Sequence, residues 1–201
     1  MRKHRIVDDL NLESYSSSNG FVGYFDSVKQ VNDDIINISI SSFFDYFTNE
    51  FERMILISSL HISDNACDFK ADYGVSEEEY AKLFTPLVDE GWIRTIDYSN
   101  DLSDNEFDAY ERKINSEFQY VEMSNSCVDM VKKLFYVVMK YFSCGGHCFF
   151  YLRESNLFIY PHEEAGFGLI CTDNNYACMN DAKGFIEYAA KQSEDFNVGL
   201  S

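Results

Sequence analysis

Apolar and polar residues alternate along this chain with periods that predict both helices and strands. Over residues 42–60, Phe44, Phe47, Phe51, Met54, Ile55 and Ser58 recur at three- and four-residue steps behind Ser42, a suitable N-cap, and predict a helix. A second helix is expected over 76–84, opened by the capping box Ser76-Glu77-Glu78-Glu79. Thr85-Pro86 should restart or kink it, and Gly91 should end it. A third is expected over 126–142, with Val131, Leu134, Phe135, Val138 and Phe142 on one face and Gly145 as the stop. A fourth is expected over 180–192, with Ala182, Phe185, Ile186, Ala189 and Ala190 turned inward.

Strand-like runs lie between these helices. They are 21–25, the alternating Ile36, Ile38 and Ile40, 118–123, a hairpin of 148–152 and 157–160 around Arg153-Glu154-Ser155-Asn156, and a third strand over 167–171. The pattern implies an α+β fold. A helical N-terminal part is followed by a helix, a small antiparallel sheet and a closing C-terminal helix. The expected organisation is a mobile segment over 1–20, a mostly helical part over 21–98, an acidic loop or boundary over 99–110, and an α+β part over 111–201, all of which can form one domain.

Composition sharpens this picture. Hydrophobic residues make up 46% of the 201 residues, including 18 Phe and 14 Tyr, which is enough apolar surface to offset chain entropy and exclude disorder. With 16 Lys+Arg against 34 Asp+Glu the net charge is −18, which excludes direct binding to nucleic acid or to an anionic membrane. No apolar run reaches the length of a membrane span, and the N-terminus lacks a secretory apolar region, so a cytoplasmic location is expected. On that ground the six cysteines are read as reduced, small core residues.

The acidity is concentrated. Residues 64–108 hold thirteen acids against Lys70, Lys82 and Arg94, a local charge of −10. Tyrosines and Trp92 are interleaved with them. Such a stretch is either a solvated face that confers solubility or an interface for an Arg/Lys-rich protein. On the second reading the partner-binding residues are Glu77, Glu78, Glu79, Tyr80, Asp89, Glu90, Trp92, Asp97, Tyr98, Asp101, Asp104, Glu106 and Asp108.

Catalytic and metal motifs are weak. Cys144-Gly145-Gly146-His147-Cys148 departs from zinc-ligand spacing, and Cys171 and Cys178 lie seven apart, so no metal or cofactor is expected. A Cys–His nucleophile from Cys144 or Cys148 with His147 or His162 stays open. His162-Glu163-Glu164 is not H-E-x-x-H, and Gly166-Phe167-Gly168 is no dinucleotide fingerprint.

Two resemblances follow from these residues. The Tyr73-Gly74-Val75-Ser76 turn, the helix through Leu83 and Leu87-Val88, and Gly91-Trp92-Ile93 entering a strand resemble the end of a winged-helix domain over 68–96. Glu77–Glu79 would repel DNA from its recognition helix. The stretch Leu157-Phe158-Ile159-Tyr160-Pro161-His162-Glu163-Glu164-Ala165-Gly166-Phe167-Gly168 is similar to strand–turn–strand segments of bacterial toxin immunity proteins. That resemblance implies a non-enzymatic inhibitor that occludes a basic, nuclease-type toxin. The alternatives are a phage or plasmid DNA mimic that blocks restriction, a cysteine/histidine-dependent enzyme, or an adaptor module.

Overall fold

The computed structural model describes residues 6–63, 74–96, 104–141, 144–173 and 175–201. The chain enters through two 3-10 turns, Ile6–Asp9 and Tyr15–Ser17, and then forms β1 (Phe21–Ser27). Helix α1 (Asp33–Tyr46) is opened by Asn32, whose side chain accepts from the amides of Asp34 and Ile35. A 3-10 turn leads into β2 (Met54–Ser58) and β3 (His61–Ser63). The helical run α2 consists of an α turn (Glu77–Glu79), a π turn (Tyr80–Phe84) and a further α segment (Thr85–Asp89), followed by β4 (Arg94–Ile96). Then come α3 (Asp104–Asn115), β5 (Gln119–Glu122), α4 (Val128–Lys140), β6 (Cys148–Leu152), β7 (Leu157–His162), β8 (Gly166–Cys171), α5 (Tyr176–Ala190) and β9 (Phe196–Leu200).

The α+β class holds, and its sheet is larger than expected. Seven strands run in the order β5-β2-β6-β7-β8-β1-β9, with every pairing antiparallel, and β3-β4 form a separate parallel pair. Strands from both sides of residues 99–110 therefore share one sheet, and residues 104–110 of that polar run are the start of α3.

The helix expected over 42–60 is not formed. Its first residues finish α1, and Met54 to Ser58 become a central strand. That strand is buried on both faces, so it reads as an unbroken apolar run without a two-residue period. The strand expected at Ile36, Ile38 and Ile40 is instead the middle of α1. Ile36, Ile40, Phe43 and Phe47 line the buried side at steps of three and four. The expected kink before Pro86 is the π turn, in which the Thr85 amide bonds back to the Tyr80 carbonyl. Proline lacks the amide that would continue the regular ladder. The winged-helix likeness departs at its wing: β4 pairs in parallel with β3 rather than in a hairpin, and residues 68–73 lie outside the described residues.

Two cores flank the sheet. On one face α1, α4 and α5 pack over Met54, Leu56, Phe150, Leu152, Ile159, Phe167 and Leu169. Phe43 of α1 sits 4.8 Å from Phe135, 5.6 Å from Phe150 and 5.3 Å from Phe167, centroid to centroid. On the other face Ile55, Ile57, Phe149, Tyr151, Phe158, Tyr160 and Ile170 are covered by Val7, Leu10, Leu12 and Tyr15. Residues 6–18, expected to be a loop or mobile segment, thus carry buried side chains. Gly166 has to be glycine, because a Cβ there would lie 1.8 Å from the Phe25 carbonyl oxygen.

The cysteines also differ from expectation. Cys171 at the end of β8 and Cys178 in α5 are joined by a disulfide, while Cys127 and Cys148 are free thiols.

Phe43→Ala should cost about 3–5 kcal/mol in denaturant unfolding. Tyr176→Ala, at a residue that is 79% exposed, should stay within about 0.5 kcal/mol. Thiol alkylation of the unfolded chain should find two fewer reactive cysteines before reduction than after. Breaking this bridge, with a separation of seven residues, should cost about 2–3 kcal/mol.

Candidate functional site

Two clusters carry polar chemistry. The first is acidic and joins the ends of three helices. The Ser76 hydroxyl accepts from the Glu79 amide, and the Glu79 carboxylate accepts from the Ser76 amide at 3.1 Å and hydroxyl at 2.9 Å. These bonds hold the Glu79 carboxyl below its ordinary range. Glu79 also accepts from the Tyr141 hydroxyl at 3.3 Å. One residue back, at the end of α4, Lys140 donates to Asp33 at 2.7 Å and to the Tyr136 hydroxyl at 2.7 Å, while Tyr136 donates to Asp33 at 2.9 Å.

The Lys140 ammonium lies 5.1 Å from the centre of the Tyr136 ring and 5.7 Å from that of Tyr141. Partial burial alone would lower its pKa, but the bonds to Asp33 and Tyr136 outweigh burial and raise it. The bonds that Asp33 accepts from Lys140 and Tyr136 lower its own pKa. Burial, then the Glu79 charge, pushes the Tyr141 hydroxyl up to about 12.

Asp33, in the first turn of α1, and Glu79, in that of α2, are therefore both tied to the end of α4, through Lys140 and Tyr141. Asp33, Asp34, Glu77 and Glu78 are exposed there. Beside them is a groove of about 720 Å³ lined by Gln30, Val31, Asn32, Asp33, Asp34, Ile36 and Lys140. A second, of about 600 Å³, lies along α1 between Asp34 and Asp45 and includes Asn37, Ser41 and Gln192. The α1 ridge between them, Asp34, Asn37, Ser41 and Asp45, carries acids and small polar groups and no base.

The residues expected to bind a partner are thus divided. Glu77, Glu78 and Glu79 belong to this surface, and Tyr80 is half-buried, stacked on Phe84 at 5.3 Å. Trp92 is only 6% exposed and is a core residue, not a surface anchor. Asp89 and Glu90 are exposed at the far end of α2, and Glu106 and Asp108 are exposed on α3. Helix α3 is tied to β4 by Arg94, which donates to Ile114 O at 2.9 Å and Glu117 at 3.3 Å. Asp97, Tyr98 and Asp101 lie outside the described residues, as does the side chain of Asp104. Asp33, Asp34 and Asp45 were not among the expected site residues. The signal for the first two was the Asn32-Asp33-Asp34 N-terminus.

The second cluster holds the cysteines and histidines. A small cavity of about 190 Å³ is lined by Tyr15, Leu60, Val138, Cys144, Cys148, His162 and Glu163, among others. The loop before β6 approaches β3 closely, and glycines permit this. A Cβ on Gly145 would lie 2.4 Å from the His61 ring, and one on Gly146 would lie 2.3 Å from Ser59 O.

Each of the three histidines among the described residues holds up structure. His147 Nδ1 accepts from the Tyr15 hydroxyl at 2.6 Å, His162 Nε2 donates to Phe25 O at 3.1 Å, and His61 Nδ1 donates to Ser59 O at 3.1 Å. Burial lowers the pKa of His147 and His162 to about 4 and also depresses that of His61. Burial raises the Cys148 thiol, so it is a poor source of thiolate. Among the described residues no group of three or more His, Cys, Asp or Glu is placed to hold a metal ion. No known family model, curated protein or solved structure matches the chain.

Because His147 and His162 protonate near pH 4 folded but near 6.5 unfolded, the unfolded chain binds more protons between those values. Their contribution is therefore intact above pH 6.5 and is lost as pH falls toward 4. Urea unfolding at pH 7 and pH 5 should show a smaller loss for His162→Gln or His147→Asn than for the wild type. Equal losses would mean that burial does not hold these rings neutral.

Proposed function

We propose that this chain is an acidic protein-binding inhibitor, an immunity protein that neutralises a basic, nuclease-type bacterial toxin by covering its phosphate-binding surface. The observation that carries this reading is that Asp33, in the first turn of α1, and Glu79, in that of α2, are held by the neighbouring residues Lys140 and Tyr141 at the end of α4, beside a groove with Val31 and Ile36 in its lining. Arg or Lys side chains can lay their apolar stems along such a groove and present their charge to its rim. The field of a −18 chain can raise the on-rate of a cationic partner by ~10–10³-fold.

A Cys–His enzyme is the weaker reading, because the thiol of Cys148 is raised and the histidines are engaged in hydrogen bonds. A DNA mimic directed at a restriction enzyme shares the electrostatics and differs only in its target. Among the described residues no helix is long and apolar enough to cross a membrane. A cytoplasmic site of action belongs to this proposal.

Affinity capture at low salt from the native host should return a basic nuclease domain as the main prey, with a restriction enzyme pointing to the DNA-mimic reading. Stopped-flow association with that partner should slow steeply as salt rises. Reversing Glu77, Glu78 and Asp34 to Lys should slow it by about tenfold or more. Reversing Glu13 and Glu163, outside this cluster, should change it by less than about threefold. Glu79 is kept in both variants because it caps α2. A salt-independent rate, or equal effects from the two sets, would overturn the proposal.

A further inference from the structure

The sheet ends at β9, and this edge differs from the rest of the surface. Val28 N donates to Asp195 O at 2.9 Å and Ser201 N to Val22 O at 3.0 Å. Bonded pairs alternate in an antiparallel ladder. Residues 195, 197, 199 and 201 therefore face β1, and Val198 and Leu200 turn their amides and carbonyls outward. Soluble proteins usually blunt such an edge with charge, proline, a bulge or a covering segment. From Phe196 to Leu200 there is no charged residue and no proline, and Val198 and Leu200 are 37% and 52% exposed. The opposite edge is different: on β5, Glu122 is paired with Arg153 at 3.2 Å.

We propose that β9 is a two-fold homodimer interface through which the sheet continues, antiparallel, into that of a second copy. The strand is self-complementary. With the two-fold axis at Val198, that residue meets its own counterpart, Phe196 of each copy meets Leu200 of the other on the same face, and Asn197 meets Gly199 on the opposite face. The Val198–Val198 and Phe196–Leu200 pairs are apolar, and no like charges are opposed in any of the pairs. The outward amides and carbonyls fall on residues of one parity, so this register matches donor to acceptor along the strand.

Charge limits where two copies can meet. Two chains of −18 each can approach only where carboxylates are absent or neutralised. Asp195, next to the strand, is bound by Lys29 at 2.6 Å. The basic partner proposed above finds no carboxylates on β9 itself. An edge-to-edge contact of this length is small beside an ordinary stable interface of roughly 1,200–2,000 Å², so the dimer is weak.

Sedimentation velocity on the full chain at high protein concentration tests this. The dimer fraction should rise with salt, because screening relieves repulsion. That is the reverse of the response expected for a cationic partner, so the two proposals fail separately. Val198→Pro removes an outward donor and should weaken the dimer by about tenfold or more, with an unchanged thermal melt as the check on folding. Under oxidation Val198→Cys should form a covalent dimer, because the two-fold brings its copies together, and Asn197→Cys should not. A wild-type chain that stays monomeric at high salt, or a Val198→Cys chain that stays unlinked, would overturn the proposal.

Discussion

The packing of Phe43 between the sheet and the other two helices is the contact on which the arrangement depends. Its ring meets Phe135 of α4, Phe150 of β6, Phe167 of β8 and Phe185 of α5. It is completely buried. Clusters of rings like this contribute through buried area and through edge-to-face geometry. Phe43 lies near the end of α1, so fixing it fixes the axis of the helix. That axis brings Asp33, at the other end, within reach of Lys140 at the end of α4. The acidic surface is thus placed by an apolar contact remote from it.

The same core lets the chain tolerate its charge. Carboxylates this dense repel one another and weaken the compact state. The structure sets several of them where they are stabilised locally. Asp33 and Asp34 occupy the first turn of α1, and Glu77, Glu78 and Glu79 that of α2, where exposed amide groups favour negative charge. Glu79 and Asp33 are further held by hydroxyls and by Lys140. Acids positioned in this way keep their charge without unfolding the helix that bears them. A surface meant to attract a basic partner needs that combination.

Elements marked by a cap, a turn or a clear helical period were legible in the sequence, among them the β6–β7 strands, which are buried on both faces but bracket the polar turn Arg153–Asn156. Helices α4 and α5, strand β1, the β6–β7 hairpin and the Ser76–Glu79 capping box all appear where the residue pattern puts them, within a few residues. The strand Met54–Ser58, with no polar turn directly beside it, was not. Met54, Leu56, Ile55 and Ile57 divide between the two cores, and nothing in an all-apolar run reveals that division. Ile36, Ile38 and Ile40 fit either period, and the Asn32 cap was the deciding signal. Trp92 misled because its acidic neighbours suggested a surface, while its large apolar ring favours the interior. The acids of α2 were visible in the sequence. Their neighbours in space were not, since Asp33 and Lys140 are 107 residues apart.

The Cys171–Cys178 bridge bears on the compartment. A reducing cytosol keeps most thiols free, which is why reduced cysteines were expected. Both bridged residues are fully buried beneath α5, where reductants have poor access. Of the other cysteines, Cys127 and Cys144 are half-buried and Cys148 is buried. Because Cys148 is buried without a disulfide, burial alone does not decide which cysteines pair. The bridge also ties α5 to β8, and α5 packs directly against both α1 and β9. One covalent link thereby steadies the helix that packs against both the acid-bearing α1 and the neutral sheet edge.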